Sequence, residues 1–185
     1  MPIKQISIFV ENKPGRLADI TSLVAEKGID IRALSIADTT DYGILRLIVN
    51  DPEKAEAALK DSGLTVSMTN VLGIGIPDEP GGFSRAIRVL ADAGISVEYA
   101  YAFITPEFGA AYVIIRVENN EDATAVLTKA GIKLIEQNEI FAENVWSKTG
   151  SSRSIDADSR FLIYFTFLVN HMKAQRLVIG VFPGF

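Results

Sequence analysis

The chain has 185 residues, 48% of them hydrophobic and 22% charged, the balance of a soluble globular protein with cores to fill and room for one ordinary domain or two small ones. A net charge of -5 and a pI near 5.0 exclude the basic face that nucleic acid requires and give no electrostatic reason to sit on an anionic membrane. With no cysteine and a single histidine, His171, the chain lacks disulfides, thiolate metal sites, a cysteine nucleophile and any site needing two imidazoles.

No basic-then-apolar leader opens the sequence, so a cytoplasmic setting is expected. The alternation of Ile6, Ile8 and Val10 predicts a half-buried strand. A turn, Asn12-Lys13-Pro14-Gly15, follows. Leu17, Ile20, Leu23 and Val24 then recur at helical spacing, and Gly28 marks the helix end. Strands are predicted over 29–37 and 44–50. Asp51 before Pro52 is a good helix start, and a short strand over 64–68 closes the unit.

The same series then begins again. Leu72, Ile74 and Ile76 alternate, and the turn is Asp78-Glu79-Pro80-Gly81-Gly82. Phe83, Ala86, Ile87 and Leu90 form a helical stripe that ends at Gly94. Strands are predicted over 95–104 and 111–117. A helix starts at Asn119 or Asn120, and a final strand covers 132–136. Gly15, Gly28 and Gly43 return as Gly81, Gly94 and Gly109, each 66 residues on, whereas Gly63 returns as Gly131 at 68. Two residues therefore entered the second copy between Gly109 and Gly131. A repeat at fixed period is one structural unit written twice. Each copy reads βαββαβ, the ferredoxin-like split motif, so the expected fold is α+β: two antiparallel sheets with helices on one face. The expected divisions are 1–69, 70–143 and a tail of uncertain structure over 144–185. Units this small are marginal alone, so the two copies, joined through Thr69 and Asn70 with almost no linker, are expected to pack together.

A strand ending in Asn-x-Pro-Gly, then a helix, then Gly-Ile-x-Ile, resembles the ACT domain, and both copies carry the pattern across about 1–143. The tandem form is similar to stand-alone ACT repeats with no catalytic domain attached. The resemblance implies a regulatory module that binds a free amino acid, has no catalysis and no cofactor, forms a homodimer and acts on a regulated enzyme partner. The first copy alone is also similar to the regulatory subunit of acetohydroxyacid synthase. That family's second half is not another Pro-Gly copy, which puts the reading second.

The physical case for a ligand is separate. A Pro-Gly turn that opens a helix points backbone N–H groups at a carboxylate, and Gly15, Gly81 and Gly82 let a ligand approach closely. Asn12 and Asp78 before the turns, and Asp30 and Ser96 at the next strands, could hold an ammonium group. By resemblance, the turn of one copy (Asn12, Pro14, Gly15, Arg16, Leu17) would meet Ser96 and Val97, and the other (Asp78, Pro80, Gly81, Gly82, Phe83) would meet Asp30 and Ile31. The turns differ chemically, so equal binding is not expected, and the double glycine and acidic residues favour the second copy. A purely structural role, in which Pro-Gly starts the helix, stays open for both.

Tyr99, Tyr101 and Phe103 alternate on one strand face. The acidic balance argues against a stacking platform for bases, so they are expected to pack on the other copy or a second subunit. Gly73 and Gly75 are expected to make room for a neighbour. Asp38, Asp41 and Glu107 fall in strand connections facing solvent, with no spacing suited to acid-base chemistry. Beyond them, 147–154 reads as a linker. The apolar runs 161–169 and 177–182 flank the polar and basic stretch 170–176, and each is far short of the roughly 20 residues a membrane helix needs. A helical hairpin, an interaction segment or sequence unrelated to the family all remain open for this tail.

Overall fold

Alternation produces strands and helical spacing produces helices through both copies. The structure, a computed structural model, describes residues 2–38, 41–103 and 109–141. In chain order the elements are β1 (Ile3–Glu11), α1 (Arg16–Glu26), β2 (Ile31–Asp38), β3 (Tyr42–Val49), α2 (Pro52–Asp61) and β4 (Thr65–Pro77). They continue with α3 (Gly82–Asp92), β5 (Val97–Phe103), β6 (Ala110–Val117), α4 (Asn120–Lys129), β7 (Lys133–Ile135) and α5 (Gln137–Phe141). The tail 144–185 lies outside the described residues, with its expected linker, its two apolar runs and His171, as do Glu107 and the side chain of Asp38. No helix among the described residues is long and apolar enough to cross a membrane.

Strand order is β2-β3-β1-β4 in the first half and β7-β4-β6-β5 in the second, with every pair antiparallel. This is the ferredoxin-like order, twice. The two expected strands over 64–68 and 72–76 are one element. Residues 65–71 of β4 pair with β1, and residues 72–77 pair with β6, with 73–75 also pairing β7. Nothing separates the copies as a linker. The boundary expected between 69 and 70 falls inside a continuous strand.

Each copy has its own core. In the first, Ile6, Ile8, Leu45 and Leu47 of the sheet meet Ile20 and Val24 of α1 and Ala55 and Leu59 of α2. In the second, Leu72, Ile74, Ile115 and Val117 meet Ala86 and Leu90 of α3 and Ala123 and Leu127 of α4. Because strand side chains alternate, the same strands turn a second set to the helix-free face. There Ile3, Ala33, Ile48 and Val71 of the first copy pack on Tyr112, Ile114, Ile135 and Ile140 of the second, with Tyr101 and Phe103 beside them. The expected packing of these strand aromatics against the other copy is what the structure shows.

Two features set this seam. Gln5 is 0% exposed; its amide donates to the Tyr99 hydroxyl (2.8 Å) and to Ser7 Oγ (3.0 Å), and its carbonyl accepts from the Tyr101 hydroxyl (2.9 Å). The Arg46 guanidinium stacks over the Tyr99 ring at 4.0 Å. Gly73 makes room in the seam, since a Cβ there would lie 2.5 Å from Ile3 Cδ1 and 3.1 Å from Ile135 Cβ, while Gly75 makes room for Ile135 and Lys133 of its own copy. The short helix α5 was not foreseen. Its Gln137 clips the seam, accepting from the Lys4 amide (3.0 Å) and donating to the Val49 carbonyl (3.2 Å).

Gly73→Ala should lower stability by about 1–3 kcal/mol through overpacking, read as a lower melting temperature in circular dichroism. Ile3→Ala in the same chain should recover part of that drop. Burial, reinforced by Tyr99 and opposed by Arg46, raises the Tyr101 hydroxyl above its ordinary value. The unfolded chain then loses this proton first, so the contribution is complete below a pH of about 10 and falls as pH rises beyond it. Urea titrations should therefore show an alkaline decline in stability that is shallower in Tyr101→Phe.

Candidate functional site

Pro14 and Pro80 preset the turns, and Gly15 (φ 84°) and Gly81 (φ 88°) take the left-handed conformation that side chains disfavour. The helices begin at the next residue. Neither α1 nor α3 has a side-chain cap. By contrast, Asp51 caps α2 through the Lys54 amide at 3.0 Å, and Asn119, rather than Asn120, caps α4 through the Glu121 amide at 2.9 Å. In α1 the Arg16 amide returns to the Lys13 carbonyl (3.2 Å) and the Asp19 amide to the Gly15 carbonyl (2.9 Å). Helix geometry leaves the amides of residues 17 and 18 without an intrahelical acceptor.

Beside this first turn the surface opens into a cavity of about 140 Å³, lined by Val10, Glu11, Asn12, Lys13, Arg16, Leu17, Ile36, Gly43 and Leu45. Its walls are apolar and its rim is charged. The Nε of Arg16 is buried and has no hydrogen-bond partner. Buried donors are nearly always paired; Arg32 Nε is unpaired in the same way, and what sets Arg16 apart is its place on the cavity. Glu11 Oε1 lies 3.2 Å from Lys13 Nζ in an exposed pair, and the Asn12 amide donates to the Asp41 carbonyl at 2.9 Å. The rim thus offers both signs of charge around an apolar floor.

The second turn is arranged differently. The Asp78 amide donates to the Gly109 carbonyl (3.0 Å), and Arg85 Nη2 donates to Glu79 Oε1 (2.7 Å) across the start of α3. A Cβ on Gly82 would lie 2.3 Å from the Pro77 carbonyl oxygen. The backbone has closed onto itself there. Phe83, the counterpart of Leu17, remains 43% exposed.

Of the residues singled out from the sequence, Asn12, Arg16 and Leu17 come together at the cavity, and Pro14 and Gly15 shape its turn. Asp30 and Ile31 lie at the other end of α1 and β2. Asp30 accepts from Arg32 Nη2 (3.1 Å), and its amide donates to Asn50 Oδ1 (3.0 Å). Asp78, Pro80, Gly81, Gly82 and Phe83 form the second turn, while Ser96 and Val97 stand at the far end of α3, with Val97 packed on the second core. Val10, Ile36, Gly43 and Leu45 were not foreseen as cavity residues. Register carries the signal: Val10 pairs with Gly43 and Ile36 with Leu45, which puts three apolar side chains on the α1 side with no side chain from Gly43 between them.

These features define a tandem pair of ferredoxin-like modules whose sheets are back to back. The chain belongs to the ACT domain pair family, whose model matches residues 1–143. Protein BT0572 from Bacteroides thetaiotaomicron is 39% identical and superposes with a TM-score of 0.72, over 77% of this chain and 98% of that one. The regulatory subunit of aspartate kinase from Thermus thermophilus shares the fold at 18% identity and a TM-score of 0.55, over 70% of this chain and 93% of its own. The Thermus flavus regulatory subunit is similar at 16% identity and 0.53, over 71% and 94%. A search of the curated proteins finds no match.

Gly82→Ala should destabilise more than Gly15→Ala, although only Gly15 has a positive φ. At Gly15 the loss is left-handed strain alone, about 1–2 kcal/mol, with nothing within 4 Å of the added atom. At Gly82 a backbone carbonyl has to move. Denaturant midpoints of the two variants test this order. Arg16→Met removes the orphaned donor and keeps the apolar stem, so stability should stay within about 0.5 kcal/mol of the parent or rise.

Proposed function

We propose that the chain is a non-catalytic sensor that binds a free amino acid and passes its occupancy to the regulation of amino-acid metabolism in the cytoplasm. One observation carries this reading: the cavity at the first Pro-Gly turn, where an uncapped helix start and the partnerless Arg16 Nε face apolar walls. A carboxylate suits the helix N-terminus and the guanidinium. The ammonium end suits Glu11 and Asn12. Membership of a family with a regulatory fold supports the reading, as does the likeness to aspartate kinase regulatory subunits. Occupancy acts through a difference in affinity between two states of the protein or its homodimer.

A second reading, a subunit that docks a catalytic partner such as acetohydroxyacid synthase, draws on a different feature. Phe9, Leu17, Leu34, Ile36, Tyr42 and Ile44 are exposed large apolar side chains, all in the first copy; Phe83 is the counterpart in the second. Such a concentration suits an interface.

A thermal-shift screen of the full chain against the common amino acids distinguishes the two. A ligand at about 100 times its dissociation constant adds about 2.7 kcal/mol, a rise of several degrees. No rise with any amino acid, together with co-purification of a large enzyme, would sink the sensor reading in favour of the subunit.

A further inference from the structure

The repeat supplies an internal comparison: the cavity residues through Ile36 have counterparts 66 positions later, whereas strand register pairs Gly43 and Leu45 with Ala111 and Val113, 68 positions later, so the two extra residues of the second copy precede β6 and do not follow Gly109. Arg16 corresponds to Gly82, where even one added carbon would strike the Pro77 carbonyl oxygen at 2.3 Å. No side chain able to anchor a carboxylate fits there. Glu11 corresponds to Pro77, which has no acceptor side chain for an ammonium group. Ile36, one apolar wall, corresponds to Ala102, while Leu45 corresponds to the apolar Val113. Beside the second turn the Arg85 guanidinium meets Glu79 at 2.7 Å in an exposed pair. Asp78 and Glu79 there add two negative charges that oppose an incoming carboxylate.

The replacements of Glu11, Arg16 and Ile36 by Pro77, Gly82 and Ala102 point one way. We infer that the chain holds a single ligand, at the first copy, and that this ligand is an α-amino acid with an aliphatic side chain of about valine to leucine size. Its carboxylate pairs with Arg16 at the start of α1, its ammonium takes over Glu11 from Lys13, and its side chain enters between Leu17, Ile36 and Leu45. The depression of about 140 Å³ is open to solvent and also takes in the charged rim, so the small extent of its apolar walls, rather than enclosure, favours an isobutyl group over an indole. The exposed Glu11–Lys13 pair gives way readily, since such surface pairs are weak. The second turn then serves only to start α3. The inference rests on the sensor reading and narrows it.

Isothermal titration of the full chain with leucine, valine, serine, aspartate and tryptophan tests it. The expected result is one site per chain, with leucine or valine at least 10-fold tighter than serine, aspartate or tryptophan. Arg16→Gln should weaken binding roughly 10- to 100-fold, the loss of a charge-assisted pair. Ile36→Ala, which copies the second module's residue, should narrow the leucine-to-serine ratio in a chain whose melting curve confirms folding. Glu79→Gln and Arg85→Ala should leave affinity and stoichiometry unchanged. Two sites per chain, tighter serine, aspartate or tryptophan, or an Arg16→Gln chain that binds as the parent does would overturn the inference and leave the sensor reading standing. No binding of any amino acid would overturn both.

Discussion

A four-stranded sheet with helices on one side leaves its other side to be taken out of water, and in this chain each copy does that for the other. The helix-free faces meet through Ile3, Ile48, Val71, Ile114 and Ile135. Within this apolar seam lies one fully buried polar side chain, Gln5, whose amide and carbonyl meet Tyr99 and Tyr101. A buried polar group left unpaired is costly, so these hydrogen bonds set the relative position of the faces more sharply than apolar contact alone. Gly73 leaves room in this seam for the side chains of Ile3 and Ile135.

Strand β1 links this seam to the cavity. Gln5 stands in its first half, and Val10 and Glu11 stand at its end. Its helix-facing residues Ile6 and Ile8 hold it against α1 and α2. The cavity is therefore built on a rigid element at one wall and on an edge strand, β2, at another. In the sensor reading, this contrast gives a ligand something to select: an edge strand can shift where a central one cannot.

The sequence made the fold legible because glycines, prolines and alternating apolar residues each act locally. The positive φ angles of Gly15, Gly28, Gly81 and Gly94 stand where the turn and helix-end reading puts them. The continuity of β4 was less visible, because strand edges look alike whether the next residue turns or runs on. Thr69 and Asn70 are as acceptable in an extended strand as in a short joint. The helix α5 escaped notice because five residues carry too little periodicity. For the site, the turn residues could be read from their own chemistry. Its apolar walls could not, since Ile36 and Leu45 become neighbours only through the pairing of β2 with β3. Asp30 and Ile31, expected beside the second turn, stand at the other end of β2 from this cavity.

The run of β4 from Thr65 to Pro77 has a consequence for how the chain folds. Its first residues complete one core and its last residues open the next. A slip of one residue along this strand would turn the inward side chains of both modules outward together. Errors in pairing are thus penalised twice, and the two modules share one register. The duplicated units are in this sense a single cooperative object: unfolding either one frays the strand on which the other is built.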